Sequence, residues 1–588
     1  MSETHATLPS DRSLVQRMLP WLRPHTGSFA LALGLLLFSS GAKMLGPVIL
    51  QQAVDRYIVP GNFGGLARLL GAYAVLVVLG FVANYLEIIR LEQVGQRLIA
   101  DLKQRAFAHL LKLELRYFDQ QSTGKLVSRI ENDANALKVL FSTVITNILG
   151  NFVVVLGMFG IMAWQYDLRL AVYIVGLCPL ILIAALLFNR WMKSLLLRAR
   201  KQLAEVNGLI TEIIQGIATI QIFGQQQRFI ARVDRESHYK YGLDSRMTVF
   251  FNSFFNSLFF VQTLGVALVL WFGGQMVMQG QLSVGSLILF MVFIRTFFVP
   301  IMFLSSQFNE FQKALAAASR LFDLLDQPAE SEVSATENNP APSLPPGPYT
   351  LEFKGVWFRY SPDSDWVLQD LSFVCPAGAH WAVVGPTGSG KSTLISLLMR
   401  FYEPQQGQIL LNGIDIRSIP RQTLRAQLGL VLQDVIFFPG SIARNLLLGQ
   451  ELSEAEVQQT MAQIGLDEVI QRLPQGYQTE VQEGARNLSE GERQLLSFGR
   501  ALLRKPQILI LDEATSHIDP QSEARIQQAM QTLLAGRTAL IIAHRLSTIE
   551  QADGILVLQY GRLVEQGSHS ELMKARGVYA EMRTLQMV

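Results

Sequence analysis

The chain has 588 residues, too many for one ordinary core, and a formal net charge of only +3, which gives no case for a nucleic-acid partner. Charged residues make up 16% and hydrophobic residues 50%, against roughly 25% charged in a typical soluble protein, so the composition predicts that part of the chain is solvated by lipid. Of the two cysteines, Cys178 lies in an apolar run and Cys375 in the later, more polar half; this predicts no bridge and a reduced, disulfide-free cytosolic portion.

Residues 1–13 are polar and the first apolar stretch lacks a cleavage-like end, so it reads as a retained anchor. Residues 14–21, with Arg12, Arg17 and Arg23 nearby, read as a short amphipathic helix in the membrane interface. Six apolar stretches follow, at residues 28–51, 66–89, 140–164, 168–189, 250–273 and 282–305. Each is long enough to cross roughly 30 Å of hydrocarbon, for which about 20 helical residues suffice. The connections after the second and fourth stretches are long and basic, with Arg90, Arg97, Lys103 and Lys112, then Arg190, Lys193, Arg198 and Lys201. The connections around residues 164–167 and 273–281 are short and poor in Lys and Arg, so the positive-inside rule predicts both termini in the cytoplasm.

The long basic connections keep a helical period, as in Leu98, Leu102, Ala106 and Leu110, and predict helices that run well past the bilayer. Lys43 in the first stretch is expected to snorkel, whereas Arg295, near the middle of the sixth, should face the bundle interior or water. Phe250, Phe251, Phe254, Phe255, Phe259 and Phe260, with Phe293, Phe297 and Phe298, either line an aromatic cavity or pack against helices and lipid. Residues 327–349 are rich in Pro, Ser, Glu and Asn and read as a linker. From Thr350 onward, strands such as Leu351-Glu352-Phe353 and Ala539-Leu540-Ile541-Ile542 alternate with helices. The predicted architecture is therefore a membrane all-α six-helix bundle with long cytoplasmic extensions plus an α/β domain with parallel strands. Its divisions fall at 1–27 (N-terminal segment), 28–326 (transmembrane domain), 327–349 (linker) and 350–588 (α/β domain).

Gly385, Pro386, Thr387, Gly388, Ser389, Gly390, Lys391 and Ser392 fit the phosphate-binding pattern G-x-x-x-x-G-K-[ST] at every fixed position. The glycines let backbone N–H groups converge on phosphate oxygens, Lys391 supplies a cation, and Ser392 offers a hydroxyl to Mg²⁺. The strand before the loop and the helix after it, through Thr393, are the context that the motif requires, so residues 350–588 read as an α/β P-loop nucleotide-binding domain, an ATP-binding domain. Residues 508–511 are apolar and end in Asp512, which reads as a buried parallel strand with a carboxylate facing the metal.

A phosphate loop alone means only nucleotide, but the loop, Leu488-Ser489-Glu490-Gly491-Glu492, and Asp512-Glu513 in this order resemble the half-transporters of the ABC exporter superfamily, and the resemblance covers essentially the whole chain. It implies an ATPase coupled to transport, with ATP and Mg²⁺. Tyr360 matches the aromatic that stacks on adenine, Gln433 the glutamine that reaches metal and attacking water, and Asp512 the carboxylate that binds Mg²⁺ with Ser392. Glu513 matches the general base, His544 the histidine at the γ-phosphate, and residues 516–519 the loop that passes information between two ATP sites. Ser489 and Gly491 match the signature that closes the partner's phosphate loop, so a second half-transporter is implied.

Two signature positions depart from the family's Leu-Ser-Gly-Gly-Gln: Glu490 stands for Gly and Glu492 for Gln. Carboxylates beside a triphosphate repel it, by a few kcal/mol at most at an effective dielectric of about 20. An intact general base with an altered signature is the pattern of one chain of a heterodimer, which is weighed slightly above a homodimer. Residues 117–133 and 212–223 resemble the coupling helices that press on the nucleotide domain. The implied function is export of a hydrophobic drug-like compound or lipid across the cytoplasmic membrane, with membrane lipid as surroundings. The alternatives are a dedicated lipid flippase and a nucleotide-gated channel or regulatory membrane ATPase.

Overall fold

The computed structural model describes residues 11–165, 168–330, 344, 345, 347–512, 520–543 and 546–586. They form two compact units, one of residues up to Lys112 together with Gln121–Gln327, the other of Leu113–Gln120 together with Pro328–Val588.

The first unit is helical. Its elements are α1 (Asp11–Leu22), α2 (Thr26–Ala53) and α3 (Phe63–Leu110). After α4 (Leu115–Asp119), which belongs to the second unit, come α5 (Thr123–Ser128), α6 (Ala134–Val139) and α7 (Ile145–Gln165). The rest are α8 (Leu168–Gln215), α9 (Ile217–Ile222), α10 (Gln226–Met278) and α11 (Val284–Leu325). Among the described residues, Gln16–Ile58, Phe63–Leu110, Thr123–Met162 and Gln226–Met278 are helical, long and apolar enough to cross a membrane. α8 and α11, of 48 and 42 residues, carry the fourth and sixth apolar stretches. α3 and α10 have 48 and 53 residues, so at about 1.5 Å per residue each runs to more than twice the roughly 30 Å of a hydrocarbon core.

Local chemistry sets the helix ends. Asn62 caps α3, its side chain accepting from Gly65 N at 3.0 Å, and Ser283 caps α11 by accepting from Ser286 N at 3.1 Å. Asp55 Oδ1, just beyond α2, accepts from Gly285 N at 2.8 Å, adding a carboxylate at the α11 N-terminus. The approach there is close enough that a Cβ on Gly285 would lie 2.5 Å from Gln51 O.

α1 differs from a helix lying free in the interface: Leu14 and Met18 are buried, and Arg17 donates to both Asp326 oxygens at 2.8 and 2.6 Å while stacking over Phe322. That face is spent on the end of α11. Lys43 has a partner on the neighbouring helix: its Nζ donates to Asn84 Oδ1 on α3 at 3.0 Å. The phenylalanines divide along the packing reading. Phe250 and Phe254 stack on Phe188 at centroid distances of 5.3 and 4.0 Å, joining α10 to α8. Phe293, Phe297 and Phe298 are buried with Met158, Met162 and Leu258, whereas Phe259 and Phe260 are exposed.

The second unit is α/β. Its strands are β1 (Leu351–Phe358), β2 (Leu368–Cys375), β3 (His380–Val384), β4 (Gln406–Leu411), β5 (Ile414–Asp415) and β6 (Leu428–Val431). Then come β7 (Gly440–Ser441), β8 (Glu480–Val481), β9 (Ile508–Asp512), β10 (Thr538–Ile542), β11 (Gly554–Gln559) and β12 (Arg562–Gly567). The main sheet has the order β12-β11-β3-β10-β9-β6, parallel except for β12. The strand beginning at Leu351 does not join it. β1 pairs antiparallel with β2 and β4 in a second sheet, its mixed burial suiting a one-sided core.

Both faces of the main sheet are covered, one by helices and the other by the helix of residues 391–398 together with the second sheet, which is why its central strands read as unbroken apolar runs. Leu509, Leu511, Ala539 and Ile541 enter one core, and Ile508, Ile510, Leu540 and Ile542 the other, with the two-residue alternation of a pleated strand. Cys375 is a free, buried thiol pushed up to about 12, chiefly by burial, and is inert as a nucleophile.

Part of the predicted linker is packed into this unit. Tyr349 is buried and its carbonyl accepts from Thr538 Oγ1 at 2.7 Å, while Glu330 takes two bonds from Arg425, at 3.0 and 2.6 Å. Residues 331–343 of that segment lie outside the described residues. Burial raises the Glu330 carboxyl, but the Arg425 bonds and the charges of Arg421 and Arg400 outweigh it and hold the group below the usual carboxylate range. A depressed carboxyl stabilises above its unfolded pKa and loses that contribution as pH falls through its folded one. Glu330→Gln should therefore cost about 1–3 kcal/mol at neutral pH. In thermal unfolding of the full chain, wild type and variant should converge as the pH becomes acidic; a gap independent of pH would refute the assignment.

Candidate nucleotide site

The loop of residues 385–390 joins β3 to the helix α12 (Lys391–Leu398). Gly385 passes so near the end of β11 that a Cβ there would lie 2.2 Å from Leu558 O. Gly390 has φ +101° and would place a Cβ 2.6 Å from Leu368 Cδ2, so both glycines are required by space. Pro386, Thr387 and Gly388 form the exposed tip, and Ser389 is buried beneath it with no hydrogen-bond partner for its hydroxyl among the described residues. Lys391 Nζ donates to the carbonyls of Gly385 and Pro386, at 2.7 and 3.0 Å. Burial lowers the Lys391 pKa and the Asp512 charge opposes this.

Thr393, one turn into α12, is buried and shares a 3.0 Å hydrogen bond with the Tyr360 hydroxyl. Tyr360 stands edge-on to Phe358 and Tyr402, at 4.9 and 5.1 Å, and remains 40% exposed. Tyr402 in turn donates to the Asp119 carboxylate at the end of α4; burial first, then this bond, pushes the phenol pKa up. Asp119 belongs to the first predicted coupling segment, so one end of that segment is one tyrosine removed from Tyr360.

Asp512 ends β9 opposite Ile542 on β10, while Val431 on β6 pairs with Leu511. Asp512 and Gln433 therefore leave the same carboxyl edge of adjacent strands, the edge from which the phosphate loop departs β3. Gln433 is exposed and lines a 140 Å³ recess with Asp434, Glu490 and Arg493. Glu513 and His544, with residues 516–519, lie outside the described residues.

Ser489 caps the helix Glu490–Leu503 in a closed capping box. Its N–H and hydroxyl both donate to Glu492 Oε2, at 2.7 and 2.9 Å, and its oxygen accepts from Glu492 N at 3.3 Å. Gly491 is buried in the first turn. The local pattern S-x-x-E that specifies this box is visible in the sequence at Ser489 and Glu492.

Two further residues hold the segment after Gln433 and had no local signal. Asn445, buried, bonds both Phe438 N and Phe438 O, at 2.9 and 2.7 Å. Arg500 donates to Ile436 O and Asn445 O, each at 3.0 Å, with its guanidinium over Phe437.

The donors at the sheet edge, a hydroxyl, an amide and a carboxylate, are the hard oxygens that suit Mg²⁺. Among the described residues no group of three His, Cys, Asp or Glu could hold a metal alone.

Comparison with known proteins agrees with both units. Residues 29–301 match the family model described as ABC transporter transmembrane region, and residues 368–516 the one described as ABC transporter. The chain is 36% identical to a probable multidrug resistance ABC transporter ATP-binding/permease protein, YheH of Bacillus subtilis, over 91% of this chain and 79% of that one. It is 31% identical to the ATP-dependent lipid A-core flippase of Thiobacillus denitrificans, over 98% and 99%. It superposes on a bacterial Atm1-family ABC exporter with ATP bound, with TM-score 0.78 and 30% identity, covering 96% and 99% of the two chains. The chain thus belongs to the ABC exporter family as a half-transporter, a multi-pass membrane protein of a kind that works as a dimer, whose ATP-binding domain couples ATP hydrolysis to transport.

Proposed function

We propose that this chain is one half of an ATP-driven exporter of lipid or hydrophobic drug-like compounds in the cytoplasmic membrane, with both termini on the cytoplasmic side. The carrying observation is the phosphate loop: Gly385 and Gly390 where a Cβ would collide, a buried Ser389 hydroxyl with no partner among the described residues, and Lys391 resting on the loop's own carbonyls. Triphosphate oxygens would take over Lys391 and the loop N–H groups, with Tyr360 against the adenine. Ser392, Gln433 and Asp512 would hold Mg²⁺, which when bound neutralises charge on the β- and γ-phosphates. Glu513 would orient and deprotonate the attacking water, and His544 would contact the γ-phosphate. The cargo reading is supported by the flippase and multidrug relatives and by lipid as the solvent of the helices.

Completion of the ATP site by a second chain's Ser489 and Gly491 would make the dimer the working unit. α9 is in keeping with this: Ile217 and Ile222, with Phe223 after them, are exposed apolar side chains spread around a short helix, which a partner's nucleotide domain would cover. We favour a partner of different sequence, because Glu492 ties up the Ser489 hydroxyl. The test is ATP-dependent uptake of fluorescent lipid or dye into inverted vesicles. Lys391→Ala should weaken ATP binding by at least about tenfold, the loss of a charge-assisted bond to phosphate, and abolish uptake. Undiminished affinity would remove the phosphate-loop assignment.

A further inference from the structure

Helices α2, α3, α7 and α11 line a cavity of 480 Å³ within the membrane unit. None of the nine phenylalanines considered above lines it; Lys43, Glu87 and Arg295 do, with Ser39 and Asn84 beside them. These charges are not paired with one another. Lys43 Nζ donates to Asn84 Oδ1 at 3.0 Å, and Glu87 Oε2 accepts from Ser39 Oγ at 3.0 Å. Arg295 is exposed, and among the described residues its guanidinium makes no ion pair or hydrogen bond, although its backbone carbonyl is held by Gln262 Nε2 at 3.0 Å.

An ionised side chain within a membrane span is retained where it meets water, a partner or a ligand. Ser39 and Lys43 are one turn apart on α2, and Asn84 and Glu87 one turn apart on α3, so the lysine and the carboxylate share one polar stripe. Their charges balance locally, and Arg295, arriving alone from α11, leaves the cavity one positive charge in excess. Leu36 and Val154 supply apolar wall in the same cavity. Its volume is within the roughly 300–1,000 Å³ of small-molecule sites.

Resting on the exporter reading above, we propose that this cavity takes the head of a singly anionic amphiphile, its carboxylate or phosphodiester oxygens held by Arg295 with Lys43 beside it, and that it discriminates against lipophilic cations. The excess charge selects an anion, Glu87 opposes a second negative charge, and the apolar wall receives the start of the chain. Guanidinium suits this task because its fork meets two oxygens of a carboxylate or phosphate at once.

The test is equilibrium binding of radiolabelled oleate to the full-length protein in neutral-detergent micelles without ATP, competed by oleate, phosphatidylglycerol, oleyl alcohol and oleylamine. At least one of the two anions should compete about tenfold or more better than the alcohol, the increment of a charge-assisted bond, and the amine should compete worst. Whichever anion competes names the head as free carboxylate or lipid phosphodiester. Arg295→Ala should erase the preference and Arg295→Lys should retain most of it, which separates charge from folding; Lys43→Met should weaken it by a smaller factor. Equal competition by alcohol, amine and acid, an unchanged preference in Arg295→Ala, or no saturable binding of either anion overturns the proposal. A protein that still drives ATP-dependent uptake without anion preference loses this inference and keeps the exporter reading. One that binds the anion but neither hydrolyses ATP nor transports does the reverse.

Discussion

Replacing Glu513 with Gln should slow ATP turnover of the assembled transporter by about two to four orders of magnitude, the range for loss of a positioned general base, while ATP binding stays near the wild-type level. The two effects separate because they draw on different groups. On the proposed assignment binding rests on the loop N–H groups, Lys391 and the Tyr360 ring, all before β6 in the chain, and none of these is altered. The amide has the size of the carboxylate but cannot accept a proton at neutral pH. Asp512, which precedes it, ends β9 with four apolar, buried residues behind it, so the strand that presents the pair is anchored independently of residue 513. Steady-state phosphate release and equilibrium binding of a fluorescent ATP analogue, measured on the same reconstituted sample, give the two numbers. Unchanged turnover would remove Glu513 from the chemistry, and parallel loss of binding and turnover would assign it to holding nucleotide instead.

The sequence made some of this legible because the physics involved is local. A phosphate loop needs glycines at fixed offsets and a strand and helix around them, and all of that lies within residues 380–398; Gly385 and Gly390 are where a Cβ has no room. The long apolar and basic segments likewise carry their own periods, and α3 and α10 follow them. What was not legible depends on residues far apart in the chain. Arg500 and Asn445 fix the segment after Gln433 from another helix pair, and Tyr402 links Tyr360 to Asp119 across 283 positions. Lys43 and Arg295 were visible as charges in apolar stretches, but only the folded bundle shows them lining one cavity with Glu87. The phenylalanines left two readings open for the complementary reason: an aromatic stripe has the same period whether it faces a cavity or a neighbouring helix, and for Phe250 and Phe254 the ring of Phe188 decides for packing.

Converting Glu490 to Gly and Glu492 to Gln together should raise the ATPase rate of this chain purified alone by about tenfold or more, since two carboxylates near a γ-phosphate at an effective dielectric of about 20 oppose it by up to a few kcal/mol. In a dimer of identical chains both ATP sites would contain Glu513 and both would be closed by this altered signature, so the replacement acts twice. The capping box gives the mechanism. Glu492 takes both the N–H and the hydroxyl of Ser489, and its charge sits on the helix N-terminus that would otherwise attract the phosphate. Gln at the same position still closes a capping box, so the helix keeps its cap while the charge is removed. Melting temperature should accordingly move little, which distinguishes an electrostatic effect from refolding of the segment. With a partner that lacks a general base of its own, the same double replacement should tighten nucleotide at the partner's phosphate loop and leave turnover almost unchanged, because the site able to hydrolyse would be closed by the partner's signature. Robust turnover by the wild-type chain alone, insensitive to both replacements, would show that the carboxylates do not restrain the site and would remove the case for an unlike partner.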